Sequence, residues 1–222
     1  MRDLLRATGR RLLNSPRGQR VYLQAAAITQ RHLHTVLSGP GRGLKLPAGA
    51  TPGYLLGFSE RAVQQAFIRH LKPGDVFWDA GAYVGFDTLL ASRLVGPTGS
   101  LHCFEPVPEN IDQLQQNLEA NGCAAKVHAV ALADRDGEGH MQVDEWHIAA
   151  RLDDHGLPVT LCRADSLDLP APTLVKIDVE GAEAQVLDGM TRTLAEHKPV
   201  LVVELHNTCL LYTSPSPRDR QK

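Results

Sequence analysis

The sequence predicts an α/β fold: a doubly wound, mostly parallel sheet with helices on both faces, preceded by a basic helical extension. Three observations carry this expectation. Short β-rich runs alternate with helical runs along most of the chain, and strands joined by helices pair in parallel through right-handed crossovers. One β-rich run ends in a carboxylate followed by two glycines, FWDAGAYVGF (77–86), the shape of a nucleotide-binding turn. The 222 residues, 43% hydrophobic and 22% charged, suffice for one full domain with a sizeable core, or one domain plus an arm.

Taken in order, residues 1–37 read as a helical extension with Leu4, Leu5, Leu12, Leu13, Val21 and Leu23, broken near Asn14-Ser15-Pro16 because the residue before a proline avoids helical geometry. Residues 1–50 hold nine Lys/Arg against one acid, whereas residues 51–222 hold fourteen against twenty-four, which together give the net charge of -2. A basic arm on an acidic body is expected to contact something anionic (a membrane surface or a partner) or the body itself. The stretch 38–53, SGPGRGLKLPAGATPG, reads as a Gly/Pro-rich linker, and residues 54–207 as the main domain.

Within that domain, Val63, Phe67 and Leu71 mark a helix over 60–71, and KPGD (72–75) a turn. Strands are expected at 76–78, 101–104, 126–132, 174–177 and 200–205. Helices are expected at 88–94, at 109–120 with Ile111, Leu114 and Leu118 on one face and Asn121-Gly122 as the stop, and from 182 to about 196. Residues 133–172 read as a hairpin plus loops.

The composition excludes several classes. No uninterrupted apolar run approaches the roughly 20 residues of a membrane span, and arginines interrupt the N-terminus where a secretory core would stand. Cys103, Cys123, Cys162 and Cys209 form no CxxC pair, so a reduced, cytoplasmic chain is expected. No histidine spacing supports a metal site.

The glycine turn carries the chemistry. Ligands of a doubly wound sheet sit at the carboxyl ends of its strands, and Asp79 ends the first strand of the unit. Gly81 and Gly85 allow a tight turn and close backbone approach. A dinucleotide fingerprint would read GxGxxG; here the run is DxGxxxG, with Tyr83 where a middle glycine would stand. Asp79 would repel a pyrophosphate and attract S-adenosylmethionine, which has no phosphate and carries an ammonium and a sulfonium. A dinucleotide, or a purely structural turn capped by Asp79, remains open at this point. Glu105, twenty residues after Gly85, closes the second strand and is placed to accept ribose hydroxyls of either cofactor. The fourth strand ends VKIDVEGAE, which sets Asp178 and Glu180 at the same edge. Lys176 lies two residues before Asp178, on the same side of an extended chain, and a lysine in an apolar strand requires an acid partner.

Together these pieces resemble the FkbM family of S-adenosylmethionine-dependent methyltransferases. The resemblance runs from about Tyr54 to Asn207 and rests on YLLGFSERAVQQAFIRHLKPGDVFWDAGAYVGFDTLLAS, FEPVPENIDQLQQNLEANG, ALADRDGE, LVKIDVEGAEAQVLDGM and PVLVVELHN. It implies a Rossmann-like methyltransferase sheet and transfer of a methyl group to a hydroxyl of a sugar, glycan or natural product. It implies that Asp79, Gly81, Ala82, Tyr83 and Gly85 hold the methionine part, Glu105 the ribose, and Ala131 to Asp134 the adenine end, with Asp178, Glu180 and Gly181 at the methyl end. Family members commonly carry asparagine where Tyr83 stands.

A sugar hydroxyl benefits from a general base; the candidates are Asp178, then Glu180, then His206, which follows the fifth strand. The tail at 208–222 does not continue the pattern, and from Cys209 to Asp219 it reads as one frame of a transposon-end sequencing adaptor. The chain is accordingly expected to stop short of the last two strands of this fold, leaving the fifth strand at an edge. Its alternatives in function are an NAD-dependent oxidoreductase and a non-catalytic nucleotide-binding fragment.

Overall fold

The computed structural model describes residues 34–57, 59–143, 150–153 and 155–206. Most of the expected basic extension (1–37) and the expected artefact tail (208–222) lie outside the described residues.

Among the described residues two short helices come first, α1 (Pro52–Leu56) and α2 (Arg61–His70). The first unit follows: β1 (Val76–Ala80), α3 (Phe86–Val95), β2 (Ser100–Phe104), α4 (Pro108–Ala120) and β3 (Lys126–His128). Four short strands come next, β4 (Ala131–Leu132), β5 (Gly137–Val143), β6 (Ala150–Asp153) and β7 (Leu157–Cys162). The chain then returns to the central sheet with β8 (Leu174–Ile177), α5 (Glu183–Asp188), α6 (Thr191–His197) and β9 (Val200–Val203).

The central sheet has the order β3-β2-β1-β8-β9, and every pairing in it is parallel. The order reverses at β1, between β2 and β8. The carboxyl ends of these three strands therefore open a crevice at one edge, where an open α/β sheet binds its ligand. Register brings Asp79 level with Cys103 on one side and Lys176 on the other.

Alternation along β1 explains the two layers. Phe77 packs with Phe67, Leu90 and Val95 under α2 and α3, while Trp78 and Ala80 pack with Val186 and Met190 under α5 and α6. Phe67 and Phe77 meet edge to face at 5.1 Å; burial of each ring contributes about 2–3 kcal/mol.

Three expectations are corrected. The strand expected at 126–132 is two strands: the Val130 N–H bonds back to the His128 carbonyl, so β3 stays in the central sheet and β4 enters another. The region 133–172 is more ordered than a hairpin with loops, because β4, β7, β5 and β6 form a second sheet in that order. The helix expected from 182 to 196 breaks at Gly189, which sits against the Ala133 carbonyl too closely for a side chain. Asp165 then takes the Arg192 and Thr193 N–H groups at 2.7 and 2.9 Å and starts α6.

The Gly/Pro-rich stretch 38–53, expected as a linker, packs against the domain. Leu44, Leu46 and Ala50 are buried in one cluster with Phe86 and Leu89. Asn117 of α4 and Asn121, which caps its C-terminus, hold the backbone of this stretch. Asn117 donates to the Ala48 carbonyl at 2.8 Å and accepts from its N–H at 3.0 Å; Asn121 does the same for Lys45 at 2.6 and 2.9 Å. No helix among the described residues is long and apolar enough to cross a membrane.

His102 is buried in β2 beneath Trp78, with Nδ1 3.1 Å from His128 Nε2 and Nε2 3.0 Å from Ser100 Oγ. Burial, aided by His128 and Lys126, lowers its pKa from an ordinary 6.5 to about 4. The unfolded chain binds that proton near pH 6.5 and the folded chain does not. Stability present above pH 6.5 is therefore lost progressively as pH falls toward 4. Urea midpoints should drop through this window in the wild type and drop less steeply in His102→Gln; equal slopes would refute the assignment.

Candidate functional site

Beneath the crevice lies a cluster built around one ammonium. Lys176, 5% exposed, places Nζ 3.5 Å from Asp79 Oδ1, 3.5 Å from Asp87 Oδ2 and 3.4 Å from Asp178 Oδ2, and donates to the Gly81 carbonyl at 3.2 Å. Strand register makes this possible, since Lys176 sits beside Asp79 on the α3-facing side of the sheet. Thr88 of α3 adds a 2.6 Å hydrogen bond to Asp79 Oδ2. Burial opposes the lysine charge, but Asp79, Asp87 and Asp178 outweigh it and raise the lysine pKa well above the ordinary range. One ammonium does not neutralise three carboxylates. Burial accordingly pushes Asp87 well up against the pull of Lys176, and Glu60 adds to that rise.

Above this cluster is a cavity of about 260 Å³. Gly81, Ala82, Tyr83, Glu105, Ala131, Asp178, Glu180 and His206 all line it, so the fold gathers most of the sequence-predicted site. Asp79, Gly85, Asp134 and Gly181 do not line it. Asp79 is fully buried below the floor, its charge spent on Lys176, and not at the mouth of the turn as expected. Gly85, with φ 84°, turns the chain into α3 against Leu114. Asp134 is on the surface in a 3.3 Å ion pair with Arg135 and does not line the cavity.

Glu105 is 4% exposed and is held from three sides. The Tyr83 N–H donates to Oε2 at 2.9 Å; the Val107 N–H and Asn110 Nδ2 donate to Oε1 at 3.1 and 3.2 Å. Tyr83 holds a left-handed backbone, φ 48°, and its hydroxyl donates to the Gly49 carbonyl at 3.3 Å. The large ring thereby ties the glycine turn to the docked 38–53 stretch. Beside Glu105 the wall is apolar, with Phe104, Pro106, Leu132 and Met141.

The opposite end is acidic. His206 Nδ1 lies 3.0 Å from Glu183 Oε1, and its Nε2 lies 3.6 Å from both Asp178 Oδ1 and Glu180 Oε2. Burial tends to lower the His206 pKa, but the Glu183 hydrogen bond and the Glu180 and Asp178 charges outweigh it and raise it. Glu60 and Glu204 line the cavity nearby. Glu180 itself has a left-handed backbone, φ 51°, followed by Gly181 at φ 106°.

Sequence reasoning missed Glu60, Asp87, Asn110, Glu183 and Glu204. Asp87 had a usable signal, since it follows Gly85 in the first turn of α3 and helix starts favour acids. Glu183 closes the VEGAE run. Glu60, Asn110 and Glu204 reach the site only through tertiary packing.

The cavity wall is rich in buried oxygens: the Glu60 and Asp87 carboxyls lie within hydrogen-bond reach of each other, which helps raise Asp87, and Asn110 Oδ1 is an acceptor with no donor. Buried acceptors left unpaired cost about 1–3 kcal/mol each, so the wall fits a ligand that brings donors or positive charge. S-adenosylmethionine meets this requirement with its ammonium, amino and ribose hydroxyl groups; a pyrophosphate does not.

Residues 79–209 match the profile of the methyltransferase FkbM domain. The hexuronic acid methyltransferase AglP of Haloferax volcanii is 27% identical over 156 residues, 66% of this chain and 62% of that protein. The 31-O-demethyl-FK506 methyltransferase FkbM of Streptomyces tacrolimicus is 33% identical over 107 residues, 44% of this chain and 41% of that protein. The chain thus spans less than two thirds of either relative. The crystal structure of a methyltransferase FkbM from Methylobacillus flagellatus is 19% identical, with a TM-score of 0.45 over 63% of this chain and 39% of that one.

Gly81 tests how tightly the turn is set. Its φ is 79°, and a methyl group there would overlap the Asp178 backbone carbonyl. Gly122, φ 62°, has open space around it. Gly81→Ala should lower stability by at least about 2 kcal/mol, well beyond the about 1 kcal/mol expected for Gly122→Ala. Chemical denaturation of the two variants side by side checks this; equal losses would contradict the close approach.

Proposed function

The chain belongs to the FkbM methyltransferase family, and from that premise we propose that it is an S-adenosylmethionine-dependent O-methyltransferase whose acceptor is a hydroxyl of a sugar, a glycan or a natural product. The observation that supports the cofactor is the acceptor-rich wall of Glu60, Asp87, Glu105 and Asn110. The acceptor class is supported by the two relatives, one named for a hexuronic acid and the other for the 31-O position of demethyl-FK506.

In this reading Glu105 and Asn110 take the ribose hydroxyls, and the apolar wall of Phe104, Leu132 and Met141 takes the adenine. The Gly81–Tyr83 turn, Asp87 and Glu60 hold the methionine part. Asp79 acts from below the floor by fixing Lys176, which in turn holds the Gly81 carbonyl. When bound, the cofactor supplies an electrophilic methyl carbon on a sulfonium. The residues around it have mainly to align the acceptor, and alignment alone is worth ~7–11 kcal/mol. Asp178 is first in line to receive the acceptor's proton. It is fixed by Lys176 on one oxygen and lies 3.6 Å from His206 on the other. Glu180 is second, and His206 orients both.

Calorimetry on the full chain should give binding of S-adenosylhomocysteine and none of NAD; the reverse would overturn the cofactor assignment. Asp178→Asn should lower turnover of an acceptor at least about 100-fold while cofactor affinity changes no more than several-fold. Turnover at the wild-type rate would remove Asp178 from the role.

A further inference from the structure

The acidic end of the cavity has an organisation that ion pairing alone does not require. The donor atoms of Asp178, Glu180 and His206 lie within 4.8 Å of one another. Ligands on opposite sides of one divalent ion, each at about 2.0–2.4 Å, are about 4–4.8 Å apart, so the spacing suits a shared ion. Sequence spacing could not show this, because His206 reaches the other two from beyond β9.

A second, independent observation lies behind His206. Glu183 is 1% exposed. Its Oε1 accepts from His206 Nδ1 at 3.0 Å and from the Gly181 N–H at 2.9 Å, while its Oε2 is buried without a hydrogen-bond partner. A carboxylate accepts only, so Nδ1 carries the proton between them, and Nε2 is the nitrogen that faces Asp178 and Glu180, where a metal ion can take the place of its proton. This carboxylate–imidazole arrangement is the one that orients metal-bound histidines. The VEGAE run supplies both layers: Glu180 toward the cavity and Glu183 behind the imidazole.

Charge points the same way. Among the described residues, Glu60, Asp87, Glu105, Asp178, Glu180 and Glu204 line the cavity, with Lys176 and His206 as the cationic side chains. Lys176 is already shared among three aspartates. Glu60, Asp178 and Glu204 form a second set of convergent carboxylates at the same end.

We propose that Asp178, Glu180 and His206 form a binding site for one divalent transition-metal ion, with Glu183 holding His206 in place behind it. One imidazole with two carboxylates is a mixed set suited to Mn²⁺, Fe²⁺ or Zn²⁺ more than to Mg²⁺ or Ca²⁺. Three protein donors leave positions open toward the cavity for oxygens of an acceptor, such as adjacent sugar hydroxyls or a hydroxyl beside a carboxylate. An acceptor oxygen on the ion would be fixed beside the acids and its proton made more acidic. That consequence rests on the methyl-transfer reading; the binding itself does not.

The test uses the full chain, freed of metal with a chelator, and Mn²⁺ as the probe. Titration should give one equivalent, and pulsed electron paramagnetic resonance should detect coupling to an imidazole nitrogen. His206→Ala should abolish that coupling, His206→Ala and Glu180→Gln should each weaken binding at least about 10-fold, and Glu183→Gln should weaken it about 10–100-fold. No binding at millimolar Mn²⁺, no nitrogen coupling in the wild type, or affinity unchanged in His206→Ala would each overturn the proposal. S-adenosylhomocysteine binding, measured on the same samples, keeps the two readings apart. Its absence from the wild type would sink the methyltransferase assignment and leave the metal result standing. Its retention in the variants shows that their cleft is folded.

Discussion

The buried ammonium of Lys176 is the contact on which the site is built. It joins four pieces of chain that sequence alone leaves unconnected: the end of β1 through Asp79, the glycine turn through the Gly81 carbonyl, the start of α3 through Asp87, and the end of β8 through Asp178. Replacing one member of such a cluster strands the others as uncompensated buried charge. The cluster is thus poor as a source of net stability and strong as a device for register. It fixes β8 against β1 so that the VEGAE run and the glycine turn face each other across the crevice.

The same shortage of positive charge explains the chemistry above the floor. With Lys176 divided among three aspartates, the cavity presents acceptors and acids to whatever enters. The Glu105 end is pre-set, because Glu105 is gripped by two backbone N–H groups and Asn110. The His206 end is pre-set by Glu183, which pins both His206 and the Gly181 N–H. Preorganised acceptors of this kind favour a ligand that arrives with positive charge and donors, and they penalise a phosphate.

How much of this was legible depended on range in sequence. Alternating apolar runs gave the parallel order, and the turn from Asp79 to Gly85 with Glu105 after β2 placed the crevice. Lys176 demanded an acid partner from its position alone and has three. Asp79 was identified, but not its station: a carboxylate at a strand end looks exposed in sequence, and only the neighbouring strand shows that it is covered. Glycine and proline in 38–53 read as a linker because composition does not register Leu44 and Leu46 as buried or Asn117 and Asn121 as their clamps. The break at Gly189 and the split between β3 and β4 depend on contacts with Ala133 and His128, which periodicity does not encode. Tyr83 stands where the resemblance implies asparagine, and its hydroxyl finds a partner in the docked stretch at Gly49.

Lys176 holds the site together more directly than any other residue. Urea unfolding of Lys176→Met at neutral pH, compared with wild type, should show a loss of about 3–5 kcal/mol. The gap should narrow as pH is lowered, because the stranded Asp79, Asp87 and Asp178 then take up protons. A variant within about 1 kcal/mol of wild type, with no dependence of the difference on pH, would contradict the view that this ammonium holds the site together.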